Sequence, residues 1–575
     1  MNKKEKGKDI KYWFLKMPYN FLLFFIVQVL VVVLFPLQIY EAYVDISPYL
    51  SIFYFLLIIF LPEIIIYYLF LNAKHLKKII YNDYFLLLFF ILVLVTGIFL
   101  LIHIPVVSRL DKGMSALSVI AEPVDIGLIA DFGGIFKAKA YFLFFNFLDS
   151  FFQINFKVLA NINTVFVMLE AIAVYFIIKL LTKKNIIAFL CGLVFLFYYN
   201  NYFCSLAPDY AILGEVFNVF SLFTLLLYLK TKDINTLIWS FGILLFSVFL
   251  RVGSEIWFFI YFVIFYLESR NSKNDFINNK INLFLLLSLP CIFPVFLLYA
   301  SSSFIGSDNA GNFTDPEMAT QIVNNGNNVM GLLKYHFLIL SKNFFYNFYF
   351  LKTHVPLFWI ILFIPVLAMK NKRTWIYFLY FLIFFFVITT FHYDQRLDAF
   401  NYLAYLFIPL IILYGFFLRR IRNIPVMVLL TTLIIIANNF FYYSYSLPGV
   451  DEGTLFWNSE YEQALISLDK IKPNSIILAN SRYSIVPAIY GFSDDYKIEQ
   501  IEKEFISQMP HIKKKYSNIY IEQTAIDCVR NTTTFNREEF YNLVRLNFDY
   551  NILLDIEKKM HDGGRCNMFL YELKN

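Results

Sequence analysis

Stretches of about twenty apolar residues recur along this chain, and the connections between them are alternately rich and poor in Lys and Arg. A helix needs a run of that length to cross about 30 Å of hydrocarbon. Thirteen spans are predicted, near 20–40, 51–72, 84–105, 158–181, 185–204, 211–230, 236–250, 252–268, 281–301, 355–370, 375–391, 402–418 and 424–444. The two short spans on either side of Arg251 also read as one re-entrant hairpin. Composition agrees: 59% of the 575 residues are hydrophobic and only 16% charged, against about 25% charged in soluble domains. That balance excludes a disordered chain, a nucleic-acid binder and an ordinary soluble enzyme, and makes the lipid bilayer the first partner.

Charge orients the spans. Lys and Arg gather at the N-terminus and at Lys74/Lys77/Lys78, Lys183/Lys184, Lys230/Lys232, Arg270/Lys273/Lys280, Lys370/Lys372/Arg373 and Arg419/Arg420/Arg422. The intervening connections at 41–50 and 200–210 have none. By the positive-inside rule the basic set is cytoplasmic. With thirteen spans the N-terminus is then cytoplasmic and the C-terminal tail lies outside. The N-terminal stretch lacks a small-residue cleavage site before its apolar run, which predicts a retained first helix. Two long outer loops, 106–157 and 303–353, end in aromatic stretches at 141–152 and 331–351 suited to helices in the membrane interface.

Two domains are expected. Residues 1–446, with 33 basic and 23 acidic side chains, form the α-helical polytopic membrane domain; residues 447–575, with 15 and 19, form a soluble α/β domain. In the tail, NSIILAN, NIYIEQ, NILLDI and CNMFLYEL read as strands. SEYEQALISLDKI, QIEKEFISQMPHIKKKY and REEFYNLVRLNF read as helices. No glycine-rich phosphate loop follows any strand, so no nucleotide site is assigned. Cys191, Cys204 and Cys291 lie in or beside spans, whereas Cys528 and Cys566 are both in the tail and can pair if it faces an oxidising compartment.

Ionisable residues collect where the chain reaches the outer boundary. The first long loop holds Arg109, Asp111, Glu122, Asp125 and Asp131. An ionised carboxylate there can act as general base on a hydroxyl within hydrogen-bond reach, or the loop is simply acidic and solvated. Asp209 precedes the sixth span, as a helix cap or as part of a site. Glu215 lies inside that span, so it is neutral or faces a polar cavity. Glu63 and Glu170, also within spans, read as neutral or helix-paired. Arg251 and Glu255 stand one turn apart as an i,i+4 pair, yet a guanidinium at that depth also suits a lipid phosphate. His392, Asp394, Arg396 and Asp398 form a tight loop before the twelfth span, with Arg396 at headgroup height or as an interfacial anchor.

Together these segments resemble the GT-C class of polytopic glycosyltransferases, in particular the family 39 and aminoarabinose-transferase-like type that uses a polyprenyl-phosphate-linked sugar. RLDKGMSALSVI and GLIADFGGIFKAKAYFLFFNFL are similar to the family's acidic first outer loop and the interfacial helix after it. APDYAILGEVFNVF resembles its Pro-acidic start of a span, FLRVGSEIWFF its Arg-Pro-Glu-Gly region, and DQRLDAFNYLAYLFIPL its Arg-Tyr-Leu segment. The resemblance covers roughly residues 84–445. Two departures stand out: Asp111 is followed by Lys112 rather than by an acid or Tyr, and Val252 stands where Pro is common.

The resemblance implies a GT-C-like fold in the plasma (inner) membrane of a bacterial cell envelope. It implies sugar transfer from a polyprenyl-phosphate donor to a glycan, lipid or protein acceptor on the extracytoplasmic face. Asp111 is then the catalytic base and Arg251 and Arg396 bind the donor phosphate. Glu122, Asp125, Asp131 and Asp209 position the acceptor or a metal, and the use of a divalent cation stays open. The competing readings are a polysaccharide polymerase or ligase, expected to carry one very large Arg/His loop, and a transporter or flippase of lipid-linked glycans, expected to carry ionisable residues at mid-membrane.

Overall fold

The structure is a computed structural model and describes residues 83–103, 156–198, 210–231, 234–250, 372–391, 398–441, 471–480, 496–524, 534–559 and 565–574. It also describes single positions at 257, 260, 261, 264, 341, 344, 345, 348, 357 and 358. Eight helices of the N-terminal body are described, each on a predicted span: α1 (Tyr84–His103), α2 (Phe156–Thr182), α3 (Asn185–Leu196), α4 (Tyr210–Thr231), α5 (Ile234–Leu250), α6 (Lys372–Phe391), α7 (Asp398–Leu418) and α8 (Ile424–Phe441). The predicted spans at 20–40, 51–72 and 281–301 lie outside the described residues, as do 252–268 and 355–370 apart from those single positions. The two interfacial stretches and the helix predicted at SEYEQALISLDKI also lie outside, apart from single positions at 341, 344, 345, 348 and 471.

Among the described residues, length and composition make three stretches, Tyr84–Leu101, Asn161–Thr182 and Leu213–Thr231, long and apolar enough to cross a membrane. The apolar parts of α3, α6, α7 and α8 are shorter. Helix α3 ends at Leu196, well short of the predicted 204, where the Phe197 N–H donates to the Leu193 carbonyl and the Tyr198 N–H to the Phe195 carbonyl. Chain reversals use local chemistry. Asp83 opens α1, its Oδ1 accepting the Leu86 N–H at 3.2 Å, which satisfies a backbone donor free at any helix start. Thr182 Oγ1 donates to the Ile178 carbonyl at 2.8 Å, and Lys183 takes φ 60 to turn α2 into α3.

The helices interlock closely. Ser221 of α4 and Ser240 of α5 donate to each other's carbonyls at 2.9 Å, and small hydroxylated residues of this kind let two apolar helices approach. Gly192 of α3 faces the Phe89 ring of α1, which stacks on Tyr175 of α2 at 5.3 Å between centroids. One continuous core runs through these helices, from Phe89, Ile178 and Val194 to Leu225, Phe384 and Ile411.

The tail carries a five-stranded sheet: β1 (Ser475–Ala479), β2 (Tyr496–Gln500), β3 (Asn518–Gln523), β4 (Tyr550–Lys559) and β5 (Arg565–Leu573). Their order is β2-β1-β3-β5-β4. Strands β2 and β3 run parallel to β1, and β5 is antiparallel to both β3 and β4. Helix α9 (Phe505–Lys515) makes the crossover from β2 to β3, and α10 (Arg537–Asn547) leads from β3 towards the β4–β5 hairpin. Asn536 caps α10, accepting the Glu539 N–H at 2.7 Å. Phe505, Met509, Phe540 and Val544 of these helices pack on Ile476, Ile519 and Phe569 of the sheet. The four predicted strands are present. Strand β2 was not expected, and it takes up Gln500, which the sequence pattern assigned to the following helix.

Candidate functional site

Asp111, Glu122, Asp125, Asp131, Asp209, Arg251, Arg396 and Cys528 lie outside the described residues. The helix ends that flank them are described, and pairwise contacts give the direction of each helix. Asp83 and Phe89 of α1 meet Tyr175 of α2, and Gly97 of α1 meets Met168, so α1 and α2 are antiparallel. Phe85 meets Phe189 and Gly192 meets Phe89, so α3 runs parallel to α1. Tyr198, just past α3, contacts Phe407 of α7, and Gly415 of α7 lies beside Cys191 of α3, so α7 is antiparallel to α3.

The other helices follow. Phe166–Phe217 and Phe176–Phe223 set α4 parallel to α2. Ser247 donates to Asn218 Oδ1 at 2.5 Å, which with the Ser221–Ser240 pair makes α4 and α5 an antiparallel hairpin. Asn439 near the end of α8 donates to the Phe197 carbonyl just past α3. At one end of the bundle therefore stand the C-terminus of α1, eight positions before Asp111; the N-terminus of α4, next to Asp209; the C-terminus of α5, next to Arg251; the N-terminus of α7, two positions after Arg396; and the C-terminus of α8, from which the chain continues to the tail. At the opposite end stand Lys183, Lys184, Lys230, Arg419, Arg420 and Arg422.

Between the two ends the helices bury an acidic pair. Glu170 of α2 is 3% exposed and Glu215 of α4 is 8% exposed. The two carboxyls are near enough to act on each other electrostatically, and Glu215 acts in the same way on Tyr380 of α6. Glu170 Oε1, the Tyr380 hydroxyl and the Trp257 indole N–H have no hydrogen-bond partner among the described residues. Trp257 sits edge-on to Tyr380 at 5.4 Å and to Phe384 at 5.5 Å. Both acids were legible singly in the sequence. Their meeting depends on the parallel packing of α2 on α4.

At the basic end a second cluster was missed. Asp83 Oδ2 accepts from Lys179 Nζ at 2.5 Å and from the Tyr175 hydroxyl at 2.8 Å. An acid just before an apolar run is a cap signal, but nothing local announces partners on the next described helix. In the tail, Asn480 ends β1 with both side-chain atoms bound to Phe535, and Glu522, Gln523 and Thr524 are fully buried at the end of β3. Cys566 is disulfide-bonded, and Cys528, its expected partner, lies outside the described residues. Among the described residues no group of three or more His, Cys, Asp or Glu could hold a metal ion.

In comparisons with protein-family models and with curated proteins, nothing matches this chain.

Proposed function

We propose that the protein is an integral-membrane glycosyltransferase that moves a sugar from a polyprenyl-phosphate donor to a glycan, lipid or protein acceptor. One observation carries the reading. The helix ends flanking Asp111, Asp209, Arg251 and Arg396, and the exit to the tail, share one end of the bundle, opposite the Lys/Arg end. The positive-inside rule makes that shared end extracytoplasmic, and the disulfide at Cys566 fits a tail in an oxidising compartment.

In this reaction the acceptor oxygen attacks the anomeric carbon as its proton passes to the Asp111 carboxylate. The bond from that carbon to the phosphate oxygen breaks with inversion, and polyprenyl phosphate leaves with the electron pair. Arg251 and Arg396 stabilise the charge that builds on the leaving phosphate; loss of one such contact costs about 2.7–4 kcal/mol. Glu122, Asp125, Asp131 and Asp209 orient the acceptor or hold a divalent cation. The test is Asp111→Asn in membranes supplied with a lipid-linked sugar: transfer is expected to be lost while the protein still accumulates, and full transfer would remove Asp111 from the role of base.

A second reading is favoured by a specific observation. Glu170 and Glu215 in helix interiors are what a transporter or flippase of lipid-linked glycans requires. Movement of labelled donor across proteoliposomes without covalent change would replace the transferase reading.

A further inference from the structure

Both helices of the tail finish at one end of its sheet, where β1 and β3 begin and β5 stops. Lys513 near the end of α9 donates from Nζ to the Lys574 carbonyl at 3.3 Å. The Lys574 N–H, just past β5, donates to the Asp549 carbonyl, just past α10, at 2.9 Å. The Ser517 N–H, just past α9, donates to the Asn474 carbonyl before β1 at 3.1 Å. Basic side chains reach this end from four elements: Lys513, Lys514 and Lys515 of α9, Arg545 of α10, Lys574 after β5 and Lys472 before β1. All are exposed. Among the described residues the acids there are Asp549 and Glu572, and Lys472 meets Glu572 at 2.5 Å. Glu504 and the pair Glu538 and Glu539 stand at the other ends of α9 and α10.

Lys and Arg in a last helical turn complement the helix dipole, which accounts for α9 and for Arg545. It gives no reason for Lys472 and Lys574 to join them. Nor does overall composition, because the tail is acidic, with 15 basic and 19 acidic residues. Two large apolar side chains lie beside the same cations. Leu546 in the last turn of α10 is 84% exposed, and Ile552 near the start of β4 is 60% exposed. They flank the Asp549 turn that is tied to Lys574. Single exposed apolar residues are ordinary, but apolar side chains among Lys and Arg make a surface suited to the headgroup layer of a bilayer. The chain also arrives here from the bundle: it leaves α8 at Phe441 and enters the sheet at Ser475, the start of β1.

We infer that this end of the tail domain is a docking face for the anionic phospholipids of the membrane that holds the bundle. The ammonium and guanidinium groups meet lipid phosphates, and Leu546 and Ile552 enter the boundary between headgroups and acyl chains. Each Lys or Arg near an anionic surface strengthens docking about fivefold. Tethering makes the contact intramolecular, so modest attraction is enough. Docking would turn the opposite end of the sheet, where β1 and β3 stop, away from the bilayer. The inference rests on the bundle being in a membrane and not on sugar transfer, so the outcome for Asp111→Asn leaves it untouched.

The test uses the full-length protein in nanodiscs of phosphatidylcholine alone or mixed with phosphatidylglycerol. An uncharged N-hydroxysuccinimide ester acylates exposed lysines, and peptide mass spectrometry gives the rate at each. Phosphatidylglycerol is expected to slow acylation of Lys513, Lys514, Lys515 and Lys574 several-fold, and molar salt to reverse this by screening. Lys503, exposed just before the start of α9, is the internal reference and should not change. Replacing Lys513, Lys514 and Lys515 together by Gln removes three charges, weakens docking about a hundredfold and should abolish the protection of Lys574. Should that variant fail to fold, the wild-type comparison between the two lipids decides alone. Rates that ignore phosphatidylglycerol, slowing that Lys503 shares, or protection already complete in phosphatidylcholine, as a protein contact would give, each overturn the inference. Protection by a soluble anionic polysaccharide but not by anionic lipid overturns it too.

Discussion

Asp83 and Lys179 are 96 positions apart in the chain, and their side chains meet at 2.5 Å between Oδ2 and Nζ. The contact ties the start of α1 to the last turns of α2, with the Asp83 side chain 1% and the Lys179 side chain 14% exposed. Asp83 also accepts the Leu86 N–H of α1 at Oδ1 and the Tyr175 hydroxyl at the same Oδ2 that meets Lys179. Removing one partner of a buried ion pair typically costs about 3–5 kcal/mol. Asp83→Asn should therefore lower the thermal midpoint of the purified protein markedly. Asp83→Asn combined with Lys179→Met should recover part of the loss, because the ammonium that met Asp83 is gone. Equal midpoints for wild type and the single variant would deny the contact its role.

Gly192 is where α3 comes closest to α1. A Cβ at that position would sit 2.7 Å from Phe89 Cζ, and the ring cannot easily retreat because Tyr175 stacks behind it. Gly192→Ala should cost about 1–3 kcal/mol through overpacking. Combining it with Phe89→Leu should relieve part of that cost, which thermal unfolding of the three variants would show.

The common end of the bundle makes a labelling prediction. In a cysteine-free background, Lys184→Cys and Arg422→Cys should react with a membrane-impermeant maleimide only from the cytoplasmic side. Ala207→Cys and Ser446→Cys should react only from outside. All four labelled from the same side would break the antiparallel arrangement read from the Phe85–Phe189, Tyr198–Phe407 and Asn439–Phe197 contacts.

Much of this architecture is written in local sequence. Eight helices fall on apolar runs bounded by basic clusters, and four strands fall on runs rich in Ile, Leu and Tyr. Strand β2 escaped because YKIEQ mixes charge with only two apolar residues, Tyr496 and Ile498. It becomes a strand through its parallel register with β1, from Ser475↔Tyr496 to Ala479↔Gln500, and tertiary pairing overrides weak β-propensity there. Position in three dimensions is legible less often. Charge alternation anticipated which helix ends lie together, since orientation depends on summed charge. The Glu170–Glu215 and Asp83–Lys179 meetings depend on which helices pack, and periodicity within one helix carries no information about that.

Tyr571 makes the tail sensitive to alkali. The side chain is fully buried in β5, and its hydroxyl donates to the Asp555 carboxylate on β4. Burial, then the hydrogen bond and the charge of Asp555, holds the phenol well above its ordinary value of 10.0. The folded chain thus keeps a proton that the unfolded chain gives up near pH 10, and the unfolded state binds fewer protons above that point. Stability from this group is fully present below pH 10 and declines as pH rises further. Tyr571→Phe removes the hydrogen bond to a charged partner, a cost of about 1.5–3 kcal/mol at neutral pH. Asp555 keeps contacts to Asn567 and Tyr541. A fluorophore on Leu546→Cys, an 84% exposed position of α10, reports unfolding of the tail. The midpoint difference between wild type and Tyr571→Phe is expected to be constant up to about pH 10 and to shrink above it; a difference that grows with alkali would reverse the assigned linkage.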